Sequence, residues 1–383
     1  MAKAWETLRW APAFWRQQRQ QRPARSASHL ILAIADHFEP SIMPGAAGGF
    51  APLEVQQQRL ERWCREYPRA LDAWRDAEGF PLRHTYFYPA EQYEPGLLEQ
   101  LAEHCRAGWG EVEIHLHHGM DRPDTAANTR RQLEQFRNAL AQRHGCLSCL
   151  DGGGRPLYAF VHGNWALANS ARGRFCGVDS ETAILAETGC YADLTLPAAP
   201  SPAQVSKINA VYECGLPLDR RAPHRRGRDL TVGRKPEIFP LIVQGPLALW
   251  RDGGMLPRIE NSEISGRNPA TLVRLQRWLQ AGISVKGQPD WVFLKLHCHG
   301  MAPGDQDAMW GAAMQRFLAS LREQAAARRA QLHFVTAREM TNILLAACDG
   351  RAGSPGEYRD YRLRLAGAGV LRSNSPGEGR GEG

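Results

Sequence analysis

Two stretches of the chain alternate apolar and ionisable residues. In the first, Val112, Ile114 and Leu116 interleave with Glu113, His115 and His117; in the second, Val292, Leu294 and Leu296 interleave with Lys295, His297 and His299, and Gly300 follows. A period of two is that of a β-strand, so each predicts a strand with one greasy and one ionisable face, over 112–117 and 291–297. Shorter apolar runs predict strands over 30–36, 82–88, 157–162, 191–196, 237–243 and 332–336. Between them, apolar residues at helical spacing, such as Leu60, Trp63, Cys64 and Tyr67, predict helices over 54–78, 95–107, 127–143, 179–188, 269–281, 307–328 and 337–348. Strands alternating with helices predict an α/β fold with a parallel sheet, and seven or eight such units predict a barrel. An apolar strand that turns ionisable at its C-terminal end, just before a Gly, is how a β/α barrel exposes catalytic groups. The expected organisation is a basic leader over 1–28, one barrel domain over 29–348 and a flexible tail over 349–383. Residues 372–383 are predicted disordered, being Gly-, Ser- and charge-rich. The basic, Pro- and Gly-punctuated stretch 214–236 is expected to loop over the active face.

Composition narrows the class. With 383 residues, 43% hydrophobic and 23% charged, the chain has the make-up of a globular protein. No apolar run approaches the ~20 residues of a membrane span. The N-terminus lacks a secretory core, because Trp5, Leu8, Trp10, Phe14 and Trp15 are interrupted by Glu6, Arg9 and Arg16. A cytoplasmic protein is therefore expected. The nine cysteines fit reduced, structural thiols, and the lone Cys146-x-x-Cys149 pair is a poor zinc site without a second pair. Of the net charge of +7, five charges fall in residues 1–26, where Lys3, Arg9, Arg16, Arg19, Arg22 and Arg25 face Glu6 alone. That distribution argues against a nucleic-acid-binding surface. The same aromatic, basic segment is a candidate for peripheral membrane contact through residues 1–27; a helix packed under the barrel is the alternative.

The ionisable residues gather where strands are predicted to end. Asp36, His37 and Glu39 stand within four residues at the exit of the first strand, a costly arrangement unless solvated or used. Asp36 is read as a base and His37 as a metal ligand. His115, His117, His118 and Asp121 form the second cluster, of the type that imidazoles and a carboxylate make around a divalent ion with a position left for water. His297 and His299 form the third, where His297 would protonate a leaving group or stabilise an oxyanion. His162 and Trp165 end a fourth strand, Trp165 offering a flat face for a sugar ring, and Asp193 puts a carboxylate inside a fifth. Gly152-Gly153-Gly154 opens no helix, and the chain holds neither a phosphate-binding loop nor a nucleophile elbow.

In this order the pieces resemble the polysaccharide deacetylase superfamily over roughly 30–340. The motifs that carry the likeness are Ala35-Asp36-His37-Phe38, the pair His117 and Asp121, and Leu294-Lys295-Leu296-His297. The resemblance implies an irregular β/α barrel and removal of acetyl or other acyl groups from a carbohydrate with a metal-bound water. On it, Asp36 is the base, His37, His117 and Asp121 hold one divalent ion, and His297 is the acid. His37 and Asp121 replace the family's usual Asp and His, and the family's Arg- and Pro-bearing motif has no counterpart at 160–165. The ion is expected to be zinc first, with Mn, Co or Ni compatible with the same donors. His115 substitutes if Asp121 points away. His115, His162, Trp165, Asp193 and His299 are expected at the substrate, Asp193 or His162 orienting the acid. The competing readings are a metal-dependent glycoside hydrolase, drawing on Asp36, Glu39 and Asp193 for its carboxylates, and a barrel that binds glycan or a partner without turnover.

Overall fold

The computed structural model describes residues 8–20, 27–43, 49–250 and 258–366. In chain order the strands are β1 (His29–His37), β2 (His84–Pro89), β3 (Gly110–Leu116), β4 (Ser148–Leu150), β5 (Gly153–His162), β6 (Cys190–Asp193), β7 (Val211–Cys214), β8 (Gly227–Asp229), β9 (Leu241–Val243), β10 (Ala248–Trp250), β11 (Arg258–Glu260), β12 (Glu263–Ile264), β13 (Trp291–Cys298), β14 (Gln331–Phe334) and β15 (Leu363–Leu365). The helices are α1 (Ala11–Gln20), α2 (Leu53–Leu71), α3 (Pro95–His104), α4 (Ala126–His144), α5 (Glu181–Thr188), α6 (Leu272–Ala281), α7 (Gln306–Trp310), α8 (Ala312–Arg328) and α9 (Ala337–Cys348).

The main sheet runs β12-β13-β1-β2-β3-β5-β6-β9-β7-β8 and is parallel from β12 to β9. Along one edge of β1 lies β13, and β14 and β2 share the other, beside residues 29–32 and 34–37. The expected parallel α/β sheet is present, but its closure is not. Among the described residues no ladder joins β12 to β8, so the sheet is a curled half-barrel. The reason lies in 211–264. Its described strands are two to four residues long, and β7 pairs antiparallel with both β8 and β9. The stretch 214–236 is thus partly a sheet ribbon rather than a loop.

Strand alternation divides the apolar residues into two cores. Leu30, Leu32 and Ile34 of β1 pack with the helix layer, where Leu60, Trp63, Tyr67 and Leu71 of α2 form a buried stripe. Ile31, Ala33 and Ala35 face the concave side, which Met340, Ile343 and Leu344 of α9 cover. Thr336 and Glu339 close a reciprocal capping box at the start of α9. Two helices differ from expectation for local reasons. The first ends at Leu71 because Asp76 accepts from the backbone N–H groups of Glu78 and Phe80 and folds 72–81 into a turn. Gly311 splits 307–328 into α7 and α8.

Both ends of the described chain pack on the body. Trp10 and Phe14, on and beside α1, are buried against Ala199, Ile208 and Leu247, and Arg9 Nε donates to Gln204 O at 2.9 Å. These residues of the leader therefore pack on the body, but against segments that follow β6 and β9 rather than under the barrel, while Trp15 stays 57% exposed. The remainder of the leader, 1–7 and 21–26, lies outside the described residues. At the other end, 349–366 is ordered, unlike the tail expected from 349. β15 pairs antiparallel with β4, and Asn342 Nδ2 donates to the carbonyls of Arg359 and Leu363 at 2.7 Å. The predicted disorder of 372–383 also lies outside the described residues. No described helix is long and apolar enough to cross a membrane. Phe14→Ala is expected to cost about 2 kcal/mol, less than the ~3–5 of a central aromatic, because its cluster is a small satellite core. Denaturant midpoints at unchanged slope measure this, and an unaltered midpoint would show the leader is not docked in solution.

Candidate metal centre at the strand ends

β1, β3 and β13 run parallel, so their C-terminal ends open at one end of the sheet, and the ladder sets Ala35 opposite His297, and His115 opposite Val161. Parity does the rest. His37 shares a face with Ile31, Ala33 and Ala35, and His297 with Phe293, all on the concave side. The rings of His115, His299 and His297 lie 5.0, 4.6 and 6.0 Å from that of His37, and those of His115 and His117 are 4.5 Å apart. His37 of the first cluster, His115 and His117 of the second, and His297 and His299 of the third therefore converge.

Glu39, two residues beyond β1, reaches into this group. Ligating atoms of His37, Glu39 and His115 all lie within 4.8 Å of one another, a group able to hold a metal ion. The orientation of His115 is compatible with that. Its Nδ1 lies 2.8 Å from Val161 O, which only accepts, so Nδ1 carries the ring proton. The opposite nitrogen, Nε2, then faces Glu39 Oε1 at 3.2 Å. Two acceptors that close need a cation between them, either a second ring proton or a metal ion. A backbone carbonyl fixing the tautomer of a ligating imidazole is a common outer-shell device.

His117 has a different environment. Its Nδ1 is 2.7 Å from Glu91 Oε1, its backbone N–H donates to Glu91 Oε2 at 3.1 Å, and its Nε2 stands 3.7 Å from Glu39 Oε1. Burial disfavours its charge, but the Glu91 bond and the charges of Glu39 and Glu91 outweigh it, and the pKa is raised. His37 and His297 go the other way. Burial first, then the neighbouring His299, His115, His297 and Lys295 around His37, and Lys295, His299 and Arg274 around His297, hold both well below the ordinary range. Both are therefore neutral near pH 7. Nδ1 of His297 is buried without a hydrogen-bond partner.

The remaining predicted residues lie elsewhere or in other roles. Asp36 is on the helix side of β1, fully buried, its Oδ1 accepting from Gly300 N at 2.7 Å and its Oδ2 2.9 Å from His84 Nδ1. It ties β1 to β2 and to the turn after β13, and faces away from the histidines of the concave side. His162 also points to the helix side, where its Nε2 is 3.0 Å from that of His118. Asp121 is exposed in the loop after β3 and outside every group of converging ligand atoms; the carboxylates beside His117 are Glu91 and Glu39. Asp193 is buried and accepts from Thr195 N at 3.2 Å and Thr195 Oγ1 at 2.8 Å. Burial, only partly offset by those bonds, pushes its carboxyl up to about 7, and burial likewise brings nearby Lys295 down to about 7. Trp165 is half-buried, its ring 6.4 Å from that of His299.

Sequence reasoning left Glu39 out of the ligand set and missed Glu91 altogether. A partial signal for Glu91 is its place two residues past the C-terminal end of β2, in the short helical turn Ala90–Gln92. No protein-family model and no curated protein matches this chain.

Proposed function

We propose that the chain is a metal-dependent hydrolase whose single active ion is held by His37, Glu39 and His115. The observation that carries the reading is the meeting of these three with His117, His297 and His299 at the C-terminal end of a curled parallel sheet. Two neutral-capable imidazoles and a carboxylate suit zinc or another borderline ion, and leave room for water and substrate. When bound, such an ion supplies Lewis-acid polarisation of an acyl carbonyl and activation of a water.

The proton chemistry belongs to His117. Glu91 fixes its Nδ1–H and supports its charge, so Nε2 is positioned to take a proton from water and return it to the leaving group. His297 is too weakly basic for that exchange. As a neutral imidazole with an unused nitrogen, it suits donation to a developing oxyanion, the other role its position allows. Trp165 beside His299 offers a face for a sugar ring, and together with the deacetylase likeness this makes an acylated carbohydrate the proposed substrate.

The test is acetate release from a panel of acetylated oligosaccharides by protein supplemented with zinc, alongside elemental analysis. His297→Ala is expected to lower kcat by roughly 10²–10³-fold, the usual effect of losing an oxyanion donor, with metal content unchanged. Turnover by the variant at the wild-type rate would remove His297 from the chemistry. Absence of acetate release by fully metallated protein would remove the substrate class.

A further inference from the structure

We propose that His118, His162, Cys176 and Glu181 form a second, enclosed metal site, suited to Zn²⁺ or a similar borderline divalent ion. The four arrive from separate places: the loop after β3, the end of β5, the loop before α5, and the first residue of α5. All are buried, and their ligating atoms lie within 4.8 Å of one another.

The outer nitrogens of both rings are already committed. His162 Nδ1 bonds to Gly163 O, an acceptor only, so that nitrogen carries the proton. His118 Nδ1 lies 2.9 Å from Asp124 Oδ2, and Asp124 is itself fixed by Thr125 N, Asn128 Nδ2 and Thr129 Oγ1 at 2.8, 2.7 and 2.8 Å. With both protons outside, the two Nε2 lone pairs face each other at 3.0 Å, and Glu181 Oε1 stands 2.9 and 3.4 Å from them. Three acceptors share that space only around a cation. Cys176 Sγ, 3.5 Å from Glu181 Oε2, supplies the fourth donor. Two neutral imidazoles, a thiolate and a carboxylate carry two negative charges, which a divalent ion balances without leaving a buried charge. Four protein donors including sulfur make a closed set, as structural zinc sites do, and Asp124 is the outer-shell carboxylate such a histidine ordinarily has.

The site also has work to do. Gly163 packs against the His117 ring, and Gly119 against the Cys176 backbone, each with no room for a Cβ. An ion here fastens the loops that flank His117 and carry Trp165. It is separate from the His37–Glu39–His115 group and stands whether or not that group binds metal.

Producing the full chain in cobalt-supplemented medium tests the assignment, because only a sulfur ligand gives thiolate-to-cobalt charge-transfer absorption in the near ultraviolet. The absorption is expected in wild type, and Cys176→Ser should lose it together with one equivalent of metal. His115→Ala should keep it, as should Cys298→Ser, whose thiol lies in a different group with Asp36 and His84. X-ray absorption at the zinc edge of wild-type protein, which needs no variant to fold, should show sulfur in the ligand shell. An ion-free site with no such absorption, a band that survives Cys176→Ser, or a zinc shell without sulfur would overturn the proposal and leave a ring proton on His118 as the cation.

Discussion

Replacing His115 by alanine is expected to strip the active ion and turnover together, leaving the fold intact. His115 is the one histidine of the cluster whose tautomer is fixed by a backbone carbonyl, with Nε2 turned to Glu39. Losing it removes a ligand and frees Glu39, which neighbouring histidines now hold low. Burial raises that carboxyl, but the His115 bond and the charges of His117, His115 and His299 bring it down to about 2. The loss of metal affinity should exceed the roughly 10–100-fold that removal of an outer-shell partner costs, and acyl hydrolysis should fall to background. His117→Ala makes the useful contrast: metal should stay, while turnover falls by roughly 10²–10⁴-fold, as when a positioned acid or base is lost. Competitive chelator titration and rate measurement on both variants read this out. If His115→Ala kept its metal and His117→Ala lost it, the ligand and proton-transfer assignments would have to be exchanged.

Much of this site can be read from β3 and β13, because alternation is local and both strands advertise it. Asp36 shows where such reading stops. It adjoins His37 in sequence, yet neighbours in a strand point to opposite faces. The same count of two that joins His37 to Ala35 and Ala33 joins Asp36 to Ile34 and Leu32 on the helix side. His162 is governed likewise by Phe160 and Tyr158, which pack with the helices. Strand parity, applied to every ionisable residue, would have separated the two groups of histidines. Glu91, Cys176 and Glu181 are harder, since each reaches its partners from a loop, a turn or a helix start whose approach depends on the register of distant strands. The open edge of the sheet is of the same kind. The strands between 211 and 264 are too short for a period to register, and their antiparallel turn is a long-range pairing.

At the opposite end of the sheet from the histidines, Arg338→Ala is expected to be the most damaging single change to stability. Arg338 opens α9 and sits beside the start of β3, where its Nε and Nη2 donate to Glu111 at 2.8–3.1 Å. Its Nη1 donates to Asp360 Oδ1 at 2.6 Å and to the carbonyls of Arg359 and Leu363 at 3.2 and 2.8 Å. One guanidinium thus joins the sheet, the covering helix and the segment 349–366, and it is only 3% exposed. Burial works against its charge, but Glu111, Glu339 and Asp360 more than restore it. Truncation leaves Glu111 as a buried carboxylate without its partner, a loss of the kind that costs about 3–5 kcal/mol. Removing both charges should hurt less, because the pair's desolvation is then never incurred; Arg338→Met with Glu111→Leu is expected to recover part of the single variant's loss. Denaturant unfolding of wild type, Arg338→Met, Glu111→Leu and the double variant, with Arg338→Ala alongside, measures the coupling. Additive losses, or an Arg338→Ala midpoint equal to wild type, would show that the three elements are held by their apolar contacts alone.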